Sequence, residues 1–128
     1  MANGALWVRL AAVSGLISVA AGAFAAHAMN GQPQAQLLLH TAAQWEAVHA
    51  LAVLAAVALS RGDGRRRTDL APALFLLGSL LFCGSLYGLA FGAPRWTGAV
   101  TPLGGLGFLA GWVALAWTGV RHEAAQGS

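Results

Sequence analysis

The sequence predicts an all-α integral membrane protein, an antiparallel four-helix bundle, and three observations carry that expectation. Only 9% of the 128 residues are charged while 58% are hydrophobic, whereas soluble domains carry about a quarter charged residues. So few charges cannot coat a surface exposed to water, so most of it faces lipid. Four windows, 7–28, 37–59, 70–92 and 100–120, reach the roughly 20 apolar residues that a helix needs to cross a bilayer. The segments between them are short and rich in turn formers: Asn30-Gly31-Gln32-Pro33, the stretch from Arg61 to Arg67, and Gly92-Ala93-Pro94-Arg95. A backbone in the bilayer core has no water to bond, so each window reads as a helix. Short connections make successive helices antiparallel, and residues 1–128 read as a single transmembrane domain.

The first span starts around Trp7 and carries Arg9 near its beginning. Its end, Ala23-Phe24-Ala25-Ala26-His27-Ala28, has the look of a secretory cleavage site. The apolar Leu6-Trp7-Val8 ahead of the arginine argues for a retained span instead. Membrane helices associate through small residues that let backbones approach closely. Ser18, Gly22 and Ala26 form such a stripe on the first span, Gly84, Gly88 and Gly92 on the third, and Gly107 and Gly111 on the fourth. Packing within the chain is the expected use of these stripes, with a dimer interface along one of them as the alternative. Thr101-Pro102 opens the fourth span as a helix cap followed by a first-turn proline.

Positive charge sets the orientation. With the N-terminus inside, the cytoplasmic face collects Arg9, Arg61, Arg65, Arg66, Arg67 and Arg121, and the outer face holds only Arg95. Both termini are therefore expected in the cytoplasm, with Trp7 and Trp117 near the inner interface and Trp96 near the outer one. Four of the seven basic residues sit in one short loop, which does not make a nucleic-acid surface. Cys83 is the only cysteine, so an internal disulfide is impossible and a cysteine-based metal site is disfavoured.

The second span holds the chemistry. His40 and Gln44 fall on one helical face, and Glu46 and His49 fall together on another. A hairpin centred near Gln32–Pro33 would set His27 level with His40, Gly22 with Trp45, and Ser18 with His49. His27 and His40 would then share a level near the outer surface, within reach of one another directly or through water. An ionisable group inside the bilayer is by default a functional-site hypothesis, and Glu46 is the sharpest case. The plain reading is that Glu46 and His49 satisfy each other or a neighbouring carbonyl. Glu46-Ala47-Val48-His49 has the E-x-x-H spacing of carboxylate-bridged metal bundles, but those need a second such pair and further carboxylates, which this chain lacks. Haem ligation by His27 and His40 would need both to face one gap. No metal or other cofactor is expected. Elsewhere, Ser85 can bond the carbonyl four residues back, and Tyr87 is expected near the outer interface with a wet hydroxyl.

Gly22-Ala23-Phe24-Ala25-Ala26-His27 resembles the G-A-F-G-A-H signature of a small bacterial membrane family, the domain of unknown function 423, whose eukaryotic relative is transmembrane protein 256. Thr41-Ala42-Ala43-Gln44-Trp45 leading to His49-Ala50-Leu51-Ala52, Gly84-Ser85-Leu86-Tyr87, and Thr101-Pro102-Leu103-Gly104-Gly105 running to Gly111-Trp112 are similar as well. The resemblance covers nearly the whole chain. It implies a multi-pass protein of the bacterial inner membrane with four retained spans. It also implies that His27, His49, Ser85, Tyr87 and the Thr101-Pro102 turn are characteristic polar positions. Ala25 departs from the second glycine of the signature, and Trp45 stands where the family has tyrosine. The family's acidic or amide residue falls at Gln44, with a neutral residue at Glu46, which weighs against a mechanism that requires Glu46.

The expected role is a non-enzymatic accessory or interaction subunit, with no catalytic residues. Its partners are the lipid bilayer and another membrane protein or further copies of itself, not nucleic acid. Two alternatives remain. One is a transporter or proton-conducting module using His27, His40, Glu46 and His49; the other is a haem- or metal-binding redox protein.

Overall fold

The computed structural model describes residues 2–61 and 69–127. Arg65, Arg66 and Arg67 lie outside them, so most of the expected cytoplasmic arginine bend does too; nor is the side chain of Arg121 described. Among the described residues four α-helices are long and apolar enough to cross a membrane. They are α1 (Ala2–Ala28), α2 (Pro33–Ser60), α3 (Leu70–Ala90) and α4 (Thr101–Gln126), with a 3₁₀ turn at Arg95–Ala99 before the last. Three of the four run further than their apolar windows. Hydropathy marks only the part immersed in hydrocarbon, while helical hydrogen bonding continues into the interface.

Successive helices pack side by side, α1 on α2, α2 on α3 and α3 on α4. α1 meets α3 at only a few points, and α1 and α4 share no extensive contact. The fold is therefore an inner pair, α2 and α3, flanked by two helices that expose most of their surface. A core of Ala11, Val53, Ala56, Ala71 and Phe75 fills one end, and Ala25, Met29 and Leu39 fill the other.

Both described turns depend on glycine. Gly31 takes φ +85° in the α1–α2 turn, where the Gln32 amide donates to the Met29 carbonyl over 3.1 Å. Pro33 then opens α2, where its missing N–H leaves no bond unmade. At the end of α3, Gly92 takes φ +95°. The Gly92 amide donates to Leu89 and the Ala93 amide to Gly88, which is the paired closure of a Schellman cap.

This cap corrects part of the glycine pattern. Gly92 terminates the helix instead of packing against a span. A side chain added at Gly84 would meet nothing within 4 Å, and one at Gly88 would meet Ala93 and Thr97 of the returning turn. Gly22 likewise has no neighbour within 4 Å, and Ala26 is exposed, although Ser18 is buried. Interhelical close packing lies instead between α3 and α4. A methyl at Gly107 would come within 3.1 Å of the Gly78 Cα, and one at Gly111 within 2.6 Å of the Phe75 ring. A methyl at Gly104 would collide with the backbone of Phe82. These glycines let the α4 backbone lie directly on α3, and Gly78 returns the fit by accepting the Phe108 ring.

Gly104→Ala should lower stability by about 1–3 kcal/mol through overpacking. Gly84→Ala should be neutral or stabilising by up to about 1 kcal/mol, the helix-propensity gain over glycine. Thermal unfolding of the two variants in one detergent checks both.

Candidate functional site

The middle of α2 holds two buried groups, and each is fully engaged by residues from other helices or turns. Glu46 is 7% exposed. Its Oε2 accepts a 2.9 Å hydrogen bond from the Ser14 hydroxyl of α1, and its Oε1 accepts a 2.6 Å bond from the Tyr87 hydroxyl of α3. One carboxyl group thus joins three helices. Tyr87 reaches it because long helical side chains lean toward the N-terminus of their own helix, which carries this hydroxyl from the C-terminal end of α3 back toward the middle of the bundle. The expected wet, interfacial Tyr87 hydroxyl is therefore corrected to a half-buried donor.

His49 is 1% exposed. Its Nδ1 lies 2.8 Å from the Trp45 carbonyl, an oxygen that can only accept, so Nδ1 carries the proton. Its Nε2 accepts a 3.1 Å bond from the Trp112 indole N–H of α4. Both ring nitrogens are thus engaged, Nδ1 as donor and Nε2 as acceptor, the pattern of a neutral imidazole. The ring stacks on Phe108 with centroids 3.5 Å apart and planes 7° from parallel. Phe75 and Trp112 close around it, themselves in an edge contact at 5.0 Å. The expected Glu46–His49 pair is corrected: the two share one side of α2 but turn toward different neighbours, α1 and α3 for Glu46, α4 for His49.

The reason lies partly in the register of the first hairpin. Ser14 faces Glu46, and the Gln36 side-chain amide donates to the Ala25 carbonyl over 3.1 Å. These contacts put the hairpin's midpoint between Asn30 and Gly31, not at Gln32–Pro33, because Pro33 is already the first helical residue. His27 and His40 are consequently offset by about 10 Å along the helix axes. Both are exposed, and neither makes a hydrogen bond or ring contact among the described residues. The proposed His27–His40 pair is not formed. Gln44 is exposed on the same face of α2 as His40.

Near the C-terminal end of α3, the Ser85 hydroxyl donates to the Phe82 carbonyl over 2.9 Å and pairs with the Thr101 hydroxyl at 2.6 Å. Thr101 is the first residue of α4 rather than its cap, so its side chain is free to tie α4 to α3. At the opposite end of the bundle, the Trp7 indole donates to Asp69 Oδ1 over 2.9 Å, joining α1 to the start of α3. Ser79 is the exception, a buried hydroxyl with no partner among the described residues. No group of three histidine, cysteine or acidic side chains among the described residues is arranged to hold a metal ion. A groove of about 450 Å³ opens between α1 and α3, lined by Ile17, Ala20 and Phe24, Leu39, and the rings of Tyr87 and Phe91.

Ser14 and Phe108 are not singled out by the sequence, and Trp112 enters there only within the family-like Gly111-Trp112 stretch. Ser14 lies one turn before Ser18 on the same stripe, and a hairpin centred on the glycine would have brought it to Glu46. Nothing local marks Trp112 as a partner of His49, since the two are 63 residues apart.

The comparisons fit this architecture. A family model described as "Protein of unknown function (DUF423)" matches residues 21–105. The chain belongs to the DUF423 family. The stretch that defines the family contains Glu46, His49 and Tyr87, while Ser14 and Trp112 fall outside it. A "UPF0382 membrane protein" of Haemophilus influenzae is 42% identical over 119 residues, covering 91% of this chain and 95% of that protein. The "UPF0382 inner membrane protein YgdD" of Escherichia coli K12 is 39% identical, over 88% of this chain and 93% of its own. "UPF0382 membrane protein YwdK" of Bacillus subtilis is 33% identical, over 91% and 98%. No solved structure matches the chain. This DUF423 member is a multi-pass protein of the bacterial inner membrane, in a family whose relatives carry no enzyme name.

Tyr87→Phe and Ser14→Ala should each cost about 1 kcal/mol, the typical net worth of a hydrogen bond. The two losses should be non-additive with Glu46→Leu, because all three act through one carboxyl. Ser79→Ala, which removes an unpartnered hydroxyl, should cost nothing. Double-mutant cycles on unfolding in detergent check all four substitutions.

Proposed function

We propose that the protein is a non-enzymatic inner-membrane subunit that acts by association, and that its buried polar residues serve to hold helix register. The observation that carries this reading is the completeness of the bonding around α2. Both oxygens of Glu46 and both nitrogens of His49 are taken by other residues of the chain. A binding or transport site normally presents polar groups converging on open space. Here the open space is the groove between α1 and α3, and its walls are hydrocarbon and aromatic rings. Polar groups and void are separated, with the Tyr87 ring between them.

The proposal includes the orientation that the arginines suggest. Arg9 and Arg61 lie at the end of the bundle where Trp7 meets Asp69, and Arg95 lies at the opposite end. Both termini are assigned to the cytoplasm, which reporter fusions at Gly127 and Gly98 test: the first should report inside and the second outside.

A second reading, proton conduction, draws support from one feature, a carboxyl group at mid-membrane in hydrogen-bond contact with a tyrosine that lines the groove. Proteoliposome proton flux separates the two. Equal leak in the wild type and in a Glu46→Gln, His49→Ala double variant is the expected result. A leak that falls only in the variant would replace the association reading. In the native membrane, a stoichiometric complex should be recovered after mild detergent extraction.

A further inference from the structure

The outward face of α2 carries a feature that the buried centre does not use. Leu37, His40, Gln44, Ala47, Leu51, Leu54 and Ala58 recur at alternating spacings of three and four along the helix. That is the seam of a left-handed helix pair. The seam is uncovered in the single chain: Leu37 is 65% exposed and Leu51 66%, and His40, Gln44, Leu54 and Ala58 are exposed too. Leucine on such a face is what lipid expects. Glutamine is not. Gln44 lies about 16 Å from the start of a helix about 42 Å long, inside a hydrocarbon layer about 30 Å thick. Its carboxamide makes no hydrogen bond among the described residues. An unbonded amide in hydrocarbon is strongly disfavoured, and acyl chains offer it nothing. His40 repeats the problem one turn nearer the surface.

We propose that this face binds the same face of a second copy, giving a homodimer with paired α2 helices. Two copies inserted with the same orientation are related by a two-fold axis along the membrane normal. That axis sets α2 parallel to the partner's α2, so each residue meets its own counterpart. Glutamine suits such a position because its carboxamide both donates and accepts. Gln44 can therefore pair with the partner's Gln44 at one depth, removing two unmet amides together. Ala47, small and one turn below, lets the backbones approach closely enough for the pair to form. The seam shares no residue with the Glu46 and His49 cluster, so dimerisation stands or falls apart from the association with other proteins proposed above.

Single cysteines test the pairing, in a background where the lone native cysteine is removed by Cys83→Ala. Ala47→Cys and Leu51→Cys, oxidised with copper phenanthroline in native membranes, should give a species of twice the chain mass. Val13→Cys on α1 and Leu109→Cys on α4, both exposed, should not. In liposomes, Gln44→Leu should weaken dimerisation measured by energy transfer about 3- to 30-fold, the range for one or two interhelical hydrogen bonds in a membrane. Leu109→Ala should leave it unchanged, and circular dichroism confirms that each variant is folded. Equal crosslinking at all four positions would overturn the proposal. So would a monomer at every protein-to-lipid ratio, or an Ala47→Cys adduct whose mass is that of a different protein.

Discussion

Inside a bilayer a polar group has only the chain itself, or another chain, to bond, and this fold is organised by that constraint. Among the described residues each buried polar side chain but Ser79 finds a partner, and most partners lie on a different helix. Glu46 is the hub. It takes Ser14 from α1 and Tyr87 from α3, so the three helices that surround it cannot slide past one another without breaking a bond. His49 does the same for α4 through Trp112. Ser85 with Thr101 ties α3 to α4 at one end of the bundle, and Trp7 with Asp69 ties α1 to α3 at the other.

These ties complement a packing mechanism that supplies little register by itself. Lipid tails are as apolar as leucine, so close backbone contact rather than the hydrophobic effect draws membrane helices together. Between α3 and α4 that contact is made by Gly104 on the Phe82 backbone, Gly107 on Gly78, Gly111 on the Phe75 ring and Gly78 on the Phe108 ring. The rings of Phe75 and Phe108 also wrap His49, so two of the glycine contacts and the buried imidazole belong to one cluster. Between α1 and α3 no such contact is made among the described residues beside Phe24 and Tyr87, and the groove opens there.

The exposed faces divide by the same rule. α1 and α4 present mostly aliphatic and aromatic surface, which lipid satisfies, with Arg9 and His27 of α1 as exposed polar residues near its ends. α2, the most buried helix, still leaves one face open, and there His40 and Gln44 are the polar residues to which the fold assigns no internal partner. A dimer along that seam would extend to the whole assembly the satisfaction that Glu46 and His49 reach within one chain.

The sequence by itself determined the membrane environment, the four helices and the division of α2 into a His40–Gln44 face and a Glu46–His49 face. These follow from composition and from the helical repeat, which are local properties. Its glycine spacing was legible only in part: Gly107 and Gly111 do lie against α3, while Gly92 caps a helix and Gly84 touches nothing, because spacing marks a face without saying what faces it. Only the tertiary structure decided the partners. Moving the first hairpin's midpoint by about two residues exchanged Ser18 for Ser14 beside the key helix and parted His27 from His40. Trp112 reached His49 from the far end of the chain. Which donor meets which acceptor depends on the relative shift and rotation of whole helices, and no stretch of one helix carries that information.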